Sequence, residues 1–143
     1  TITTTTVNIS ATDSDGSAST SVIFPIIASN ETVDFTTPVS LPNATAGQNI
    51  NETVVATGSK GSVPTYSFIS VNNTGNASGI AGTQITVTGN QISGIAPRLF
   101  NAATYSFTFQ ASINAGAATN NQTFKILISQ DNTCISPTNN ICT

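Results

Sequence analysis

Short runs rich in Thr, Val, Ile, Phe and Tyr recur along the whole chain of 143 residues, and Gly, Pro and Asn separate them. These residue types favour the pleated, half-buried surface of a β-strand. Met is absent and Leu, Lys and Glu are scarce, so the residues that favour a helix are in short supply. The pattern predicts an all-β protein without a long helix.

The predicted strands are short and are spaced as in a β-sandwich. Residues 1–12 form a Thr-rich first strand, residues 13–16 a turn, and residues 21–29 an apolar second strand. Because Pro25 has no backbone N–H, it places this second strand at an edge or a bulge. The remaining predicted strands cover residues 51–56, 65–71, 83–88, 105–112 and 123–129.

The first strand has one moderately apolar face, because side chains alternate between the two sides of a strand. This face carries Thr3, Thr5, Val7, Ile9 and Ala11. An apolar face must be covered by something. The strand either pairs in cis, as an added edge of its own sandwich, or pairs in trans with an open sheet of a neighbouring subunit. The sequence leaves both possibilities open, and it also leaves open whether residues 21–29 belong to this arm or to the body.

One internal repeat appears at a shift of 100 positions. Residues 7–29 align without gaps on residues 107–129, with six identities in 23 positions. Both stretches are predicted to form a strand, a Gly-containing turn and a second strand. Common descent and shared strand chemistry explain the match equally well.

Only nine residues are charged, three Lys or Arg and six Asp or Glu, whereas about a quarter of the residues in an ordinary domain are charged. The surface must therefore be hydrated by hydroxyls, amides or attached sugar. Seven Asn-x-Ser/Thr motifs offer glycan attachment, where chance would supply roughly four to five. They are Asn8, Asn30, Asn43, Asn51, Asn72, Asn76 and Asn121.

Two cysteines, Cys134 and Cys142, lie near the C-terminus. No His is present to complete a zinc site with them, so a disulfide is favoured over free thiols. It indicates an oxidising compartment or a hyperthermophile. The chain begins at Thr1 without Met and has no apolar stretch long enough for a membrane span, which predicts an exported, extracellular chain whose signal segment has been removed.

The scarcity of carboxylates predicts tolerance of acid. Protonation of all six Asp and Glu side chains changes the formal charge only from −3 to +3. Electrostatic self-repulsion therefore stays mild over a wide pH range. An acidic habitat is the corresponding hypothesis.

The sequence predicts no enzyme, no cofactor, no metal site and no catalytic residue. Without His, the usual nucleophilic triads and His-ligated metals are excluded. Lys60, Arg98 and Lys125 are isolated, and no basic patch is present for nucleic acid. Residues 13–16 resemble a calcium loop only faintly, because no bidentate Glu follows, and a plain turn is favoured.

Residues 35–129 resemble the immunoglobulin-like, cadherin-related modules of prokaryotic surface proteins. The resemblance implies an immunoglobulin-like β-sandwich, to which residues 72–89 add a loop and an extra strand. The motifs that carry it are FTTPVSLPNATAGQNINETVVATG, VPTYSFIS, GNQISGIAP, ATYSFTFQAS and NQTFKILIS.

The layout of the whole chain resembles the glycosylated thread filaments of thermoacidophilic archaea, whose subunits are joined by donor-strand complementation. This resemblance implies a donor strand at residues 1–13, a body at residues 14–130 and a C-terminal tail, residues 131–143, closed by the disulfide. Val7, Ile9 and Ala11 would fill pockets of the neighbouring subunit, and the sequon Asn residues would carry sugar. The expected function is a subunit of a cell-surface filament (a pilus or thread) that polymerises head-to-tail with itself. The alternative is an immunoglobulin-like adhesin or surface-layer module that binds glycans or other cells.

Overall fold

The computed structural model describes residues 2–27, 30–75 and 79–142. The all-β prediction is confirmed, because the described residues form strands and one short 3₁₀ turn, Asn114–Gly116. The strands are β1 Ile2–Asp13, β2 Gly16–Ile27, β3 Val33–Phe35, β4 Asn49–Thr53, β5 Ala56–Gly58, β6 Thr65–Asn73, β7 Thr86–Thr88, β8 Gln91–Ile95, β9 Ala103–Ile113, β10 Ala118–Ile128, β11 Pro137–Thr138 and β12 Ile141–Cys142.

The chain divides into two compact units, Thr1–Asn30 and Glu31–Thr143. The first unit is an antiparallel hairpin of β1 and β2, paired from Ile2 opposite Ile27 to Asp13 opposite Gly16. Ser14 and Asp15 form its turn. The Asp13 carboxylate accepts hydrogen bonds from the backbone N–H groups of Asp15 (2.8 Å) and Gly16 (3.1 Å), which stabilises the turn predicted at residues 13–16.

This pairing shows where residues 21–29 belong, as far as they are described. Residues 21–27 lie in β2 and pair with β1, so they are part of the N-terminal arm. A boundary after residue 13 was expected between donor strand and body, but that position is the hairpin turn. The compact units divide instead between Asn30 and Glu31, because backbone pairing joins β1 and β2 along their whole length.

The second unit is an immunoglobulin-like sandwich. One layer contains the sheets β4-β8-β7 and β3-β5, and the other contains the sheet β10-β9-β6. Residues 39–44 run parallel to β10, with bridges at Ser40 opposite Lys125 and Ala44 opposite Ile128. This division follows the immunoglobulin order, in which the first, second, fourth and fifth strands form one sheet and the third, sixth and seventh form the other, with β4 and β5 together taking the place of the second strand. The structure adds four strands that were not predicted as such, β3, β8, β11 and β12.

The core of this unit lies between the two layers. Alternate residues of β9 are buried, and the matching residues of β10 complete the same face. Phe107, Phe109 and Phe124 are fully buried there, and Ile50 and Ile92 contribute from the opposite layer. The alternation follows from the period of two residues along a strand that has one buried face.

The C-terminal tail packs on this unit through backbone contacts. The Cys142 N–H donates to the Arg98 carbonyl at 2.9 Å, and Leu99 forms an antiparallel bridge with Ile141. The predicted disulfide between Cys134 and Cys142 is confirmed, with a Cα–Cα distance of 5.8 Å. In the part of the chain that the structure describes, no helix has the length and apolarity to cross a membrane.

Candidate functional site

The N-terminal hairpin has two chemically different faces. Its register places Val7 opposite Val22 and Ile9 opposite Thr20, so odd residues of β1 share a face with even residues of β2. The residues called here the apolar face are Thr5, Val7, Ile9, Ala11, Ala18, Thr20, Val22 and Phe24. The residues called here the hydroxyl face are Thr4, Thr6, Asn8, Ser10, Thr12, Ser17, Ser19, Ser21 and Ile23.

The apolar face is exposed along its length. The exposed fractions are 41% for Val7, 52% for Ile9, 36% for Val22 and 51% for Phe24. A two-stranded hairpin is at best marginally stable in water on its own. A contiguous row of exposed apolar side chains is typical of a surface that binds another protein. The apolar face is therefore the strongest candidate for an interaction site in this chain.

The five residues predicted to form the donor face lie together on β1. Val7, Ile9 and Ala11 project from the apolar face with Thr5, and the backbone of Thr3 continues the strand opposite Ile26. Sequence reasoning missed the contribution of β2, which adds Val22 and Phe24 to the same face. The signal was present in the turn, because a two-residue connection between Asp13 and Gly16 sets the register of the whole hairpin.

Six of the seven predicted glycosylation sites lie on exposed positions, which is a condition for carrying sugar, and Asn76 lies outside the described residues. Asn8 lies on the hydroxyl face, where its side-chain oxygen accepts a hydrogen bond from Ser21 at 2.7 Å. Asn72 and Asn121 pair with Ser106 and Gln110 of β9, on the side of that sheet opposite the core. The other exposed sites are Asn30, Asn43 and Asn51.

Glu31, the first residue of the second unit, connects three separate parts of it. The residue is 7% exposed, and its carboxylate accepts hydrogen bonds from the backbone N–H groups of Lys60 and Ser62, both at 3.0 Å. The Ser62 hydroxyl donates at 2.7 Å and the Asn114 side-chain amide at 3.0 Å. Hydrogen bonding by Ser62 is the largest cause that lowers the pKa of Glu31 to about 2. The residue after the hairpin is thus held firmly by the sandwich.

A second carboxylate, Asp131, is held in a similar way next to the C-terminal tail. Arg98 donates to it at 2.6 Å, and Thr133 donates through its backbone N–H at 2.9 Å and its hydroxyl at 2.6 Å. Hydrogen bonding from Arg98 is the largest cause that lowers the pKa of Asp131 to about 2. Glu31 and Asp131 therefore both stay ionised in moderately acidic solution.

Metal-ligating side chains do not cluster among the described residues. Within residues 2–27, 30–75 and 79–142, no three His, Cys, Asp or Glu side chains come together as a metal site. A shallow cleft between β8 and β12 is lined by Ile95, Arg98 and Ile141, but Arg98 is already paired with Asp131. The apolar face remains the strongest candidate for a functional site among the features described.

Comparison with protein-family models, with curated proteins and with solved structures finds no match to this chain.

Proposed function

We propose that this chain is a structural subunit of an extracellular filament on a cell surface, assembled head-to-tail by its N-terminal segment. One observation carries the proposal: an amphipathic hairpin forms a compact unit of its own and exposes Val7, Ile9, Val22 and Phe24 on one face. Burial of such side chains contributes about 1.5–3 kcal/mol each when they leave water. Because only nine of its 143 residues are charged, a second copy of the chain offers a largely uncharged surface that can cover these side chains.

The mode of contact favours a filament over a closed dimer. The donor, a hairpin, and the acceptor, a sandwich, are different surfaces of the same chain. A contact between two different surfaces is heterologous, and it produces an open polymer unless its rotation closes a ring. Each added subunit then presents a new hairpin or a new acceptor at the growing end.

The remaining features agree with an extracellular, glycosylated subunit. The disulfide between Cys134 and Cys142 is typical of oxidising compartments. The exposed sequons offer attachment points for sugar, which would hydrate a surface that is poor in charge. The chain has only six carboxylate side chains whose protonation could weaken the fold in acid, which agrees with the hypothesis of an acidic habitat.

The test uses four single variants of the full-length chain, each of which adds one negative charge to one face of the hairpin. Val7→Asp and Phe24→Asp change the apolar face, while the neighbouring Thr6→Asp and Ile23→Asp change the hydroxyl face. None of the four alters a sequon. Assembly is measured by electron microscopy and by the critical concentration for polymerisation.

We expect regular filaments from the wild-type chain and from Thr6→Asp and Ile23→Asp. A carboxylate buried in an apolar interface costs several kcal/mol, so Val7→Asp and Phe24→Asp should raise the critical concentration by at least ~100-fold. Monodisperse wild-type monomers would contradict the proposal and favour an adhesin or surface-layer module. So would equal assembly of all four variants.

The glycan part of the proposal has a separate test. The bare chain has a mass of 14.6 kDa, and attached sugar adds to it. Mass spectrometry of the protein from its natural source, before and after deglycosylation, should show a larger mass that falls on treatment. A mass equal to that of the bare chain would refute glycosylation without affecting the assembly proposal.

A further inference from the structure

In the part of the body that the structure describes, one long strand lies at the end of a sheet. The following loop contacts the C-terminal end of this strand, because the Asn73 side-chain amide donates to the Gly79 carbonyl at 2.8 Å, so the open part of the edge is residues 65–70. β6 is the terminal strand of the sheet β10-β9-β6 and contains nine residues. The terminal strands of the two sheets in the other layer have only three to five residues. The far edge of β10 already carries hydrogen bonds from residues 39–44. If a strand adds to the body, β6 is therefore the edge that offers it most backbone partners.

This edge lacks two of the features that usually prevent strand addition, namely charged residues and Pro. Exposed edges of soluble proteins are commonly protected by charged residues or Pro, and β6, with the sequence TYSFISVNN, contains neither. It also exposes two large apolar side chains, Phe68 at 38% and Ile69 at 48%. A bulge between Phe68 and Ser70 leaves Ile69 without a partner on β9.

The two sides of β6 differ in the same way as the two faces of the hairpin. Phe68 is opposite Phe109, a fully buried core residue, and their ring centroids are 5.5 Å apart. Phe68 thus lies at the rim of the core and is partly exposed. Ser67 and Ser70 are on the other side, opposite Gln110 and Thr108, which point away from the core.

We propose that β6 is the acceptor for the hairpin of a second copy, whose β1 pairs with it and extends the sheet to β10-β9-β6-β1-β2. The inference rests on the proposed function and names the partner surface. In this arrangement the apolar face continues the core side of the sheet and covers Phe68, while the hydroxyl face continues the polar side. β1 is the pairing strand because it contains no Pro, whereas Pro25 interrupts the row of N–H donors in β2.

Glycan placement agrees with this arrangement. Asn8 lies on the hydroxyl face, and Asn72 and Asn121 lie on the polar side of the β10-β9-β6 sheet. Strand addition with the apolar face toward the core therefore puts all three sequons on the same, solvent-facing side. The opposite orientation would bury Asn8 against the core and expose Val7 and Ile9.

The first experiment maps the contact without assuming a register. A photo-crosslinking amino acid replaces Ile69 in the full-length chain, and the chain is assembled as an equal mixture of isotope-labelled and unlabelled copies. Mass spectrometry should find crosslinks from position 69 to residues 2–13 of another copy. The same probe at Val63, which is 87% exposed and precedes β6, should give at least tenfold fewer crosslinks to that segment. Crosslinks to β1 of the same copy, or to a body strand of another copy, would overturn the inference.

The second experiment blocks the edge with charge. Ile69→Lys should raise the critical concentration for polymerisation at least tenfold and leave the thermal unfolding midpoint of the monomer within a few degrees of wild type. The matched control, Val63→Lys, should change the critical concentration less than twofold. If the wild type assembles and Val7→Asp prevents assembly, but Ile69→Lys assembles normally, the acceptor assignment fails and the proposed function stands. If the wild type does not assemble, both fail.

Discussion

The β1-β2 and β9-β10 hairpins are built from similar strands and end in opposite environments. Both alternate polar and apolar residues along strands of eleven or twelve residues. Phe124 of β10 is fully buried, whereas Phe24, which corresponds to it at a shift of 100 positions, is 51% exposed. The difference teaches that an apolar strand face becomes core only where a second layer covers it. In the β9-β10 hairpin that layer is supplied by the same chain.

The two hairpins also differ in register. The first has a two-residue turn and places Phe24 opposite Thr5, while the second has a four-residue turn, residues 114–117, and places Phe124 opposite Phe107. The gapless alignment of residues 7–29 on 107–129 therefore matches the faces of the strands but not their pairing partners. Common descent of the two hairpins stays a prediction.

The largest expected effect on stability is at the buried member of the comparison, the β9-β10 hairpin. Phe124→Ala should lower the free energy of unfolding by about 3–5 kcal/mol, because it opens a cavity beside Phe35 and Phe109. The ring centroids of these residues lie 5.2 Å and 6.1 Å from that of Phe124. Urea denaturation followed by circular dichroism measures the change. A loss below about 1 kcal/mol would show that this face is not a tightly packed core.

The next largest effect concerns the disulfide, which lies in the second unit, whereas the N-terminal hairpin contains no cysteine. Replacing both Cys134 and Cys142 with Ala should lower the free energy of unfolding by about 2–3 kcal/mol, since the short loop they close no longer restricts the unfolded chain. Urea denaturation of the wild type and the double variant measures it. Filament formation should persist, because the tail is not part of the donor or acceptor surface. Loss of filaments from a folded double variant would place the tail in the assembly contact.

A smaller effect is expected on the pH dependence of the stability of the second unit, to which Glu31 belongs. Hydrogen bonds lower the pKa of Glu31 from an ordinary value of 4.5 to about 2 in the folded chain. Its contribution to stability is therefore complete above about pH 4.5 and is lost as the pH falls toward 2. The urea midpoint of Glu31→Gln should depend less on pH in this window than that of the wild type. Identical pH profiles would contradict the hydrogen-bond network seen around Glu31.

The smallest effect on stability is expected at the exposed member of the comparison. Phe24→Ala should change the free energy of unfolding of the monomer by no more than about 0.5 kcal/mol, as is usual for exposed positions. It should nevertheless raise the critical concentration for polymerisation, because the ring is buried only in the assembled state. If Phe24→Ala destabilises the monomer as strongly as Phe124→Ala does, the two hairpins are equally buried and the proposed role of the apolar face is lost.

Much of the fold follows from local patterns. The residue composition predicts strands, the residues Asp13 to Gly16 predict the turn, and the spacing of Cys134 and Cys142 in a chain without His predicts the disulfide. β3, β8, β11 and β12 were missed as strands for local reasons as well, and β11 and β12 have only two residues each. β3 has only three residues, and β8 contains Gly94, a residue disfavoured in strands. Gly94 has a φ of +134°, and a Cβ there would collide with the backbone of Gln84. Gly is therefore required at this position because the backbone at residue 84 packs closely against β8, which the sequence near Gly94 does not indicate.

The sequence by itself determined which residues face the same side of each strand, because the period of two is a property of the extended backbone. It therefore identified Thr3, Thr5, Val7, Ile9 and Ala11 as one face. Only the tertiary structure decided that β2 completes this face, that Glu31 binds groups up to 83 residues away, and that β6 lies at the end of its sheet. These choices depend on which distant segments pair, and the free energy of such pairing is not encoded in any local pattern.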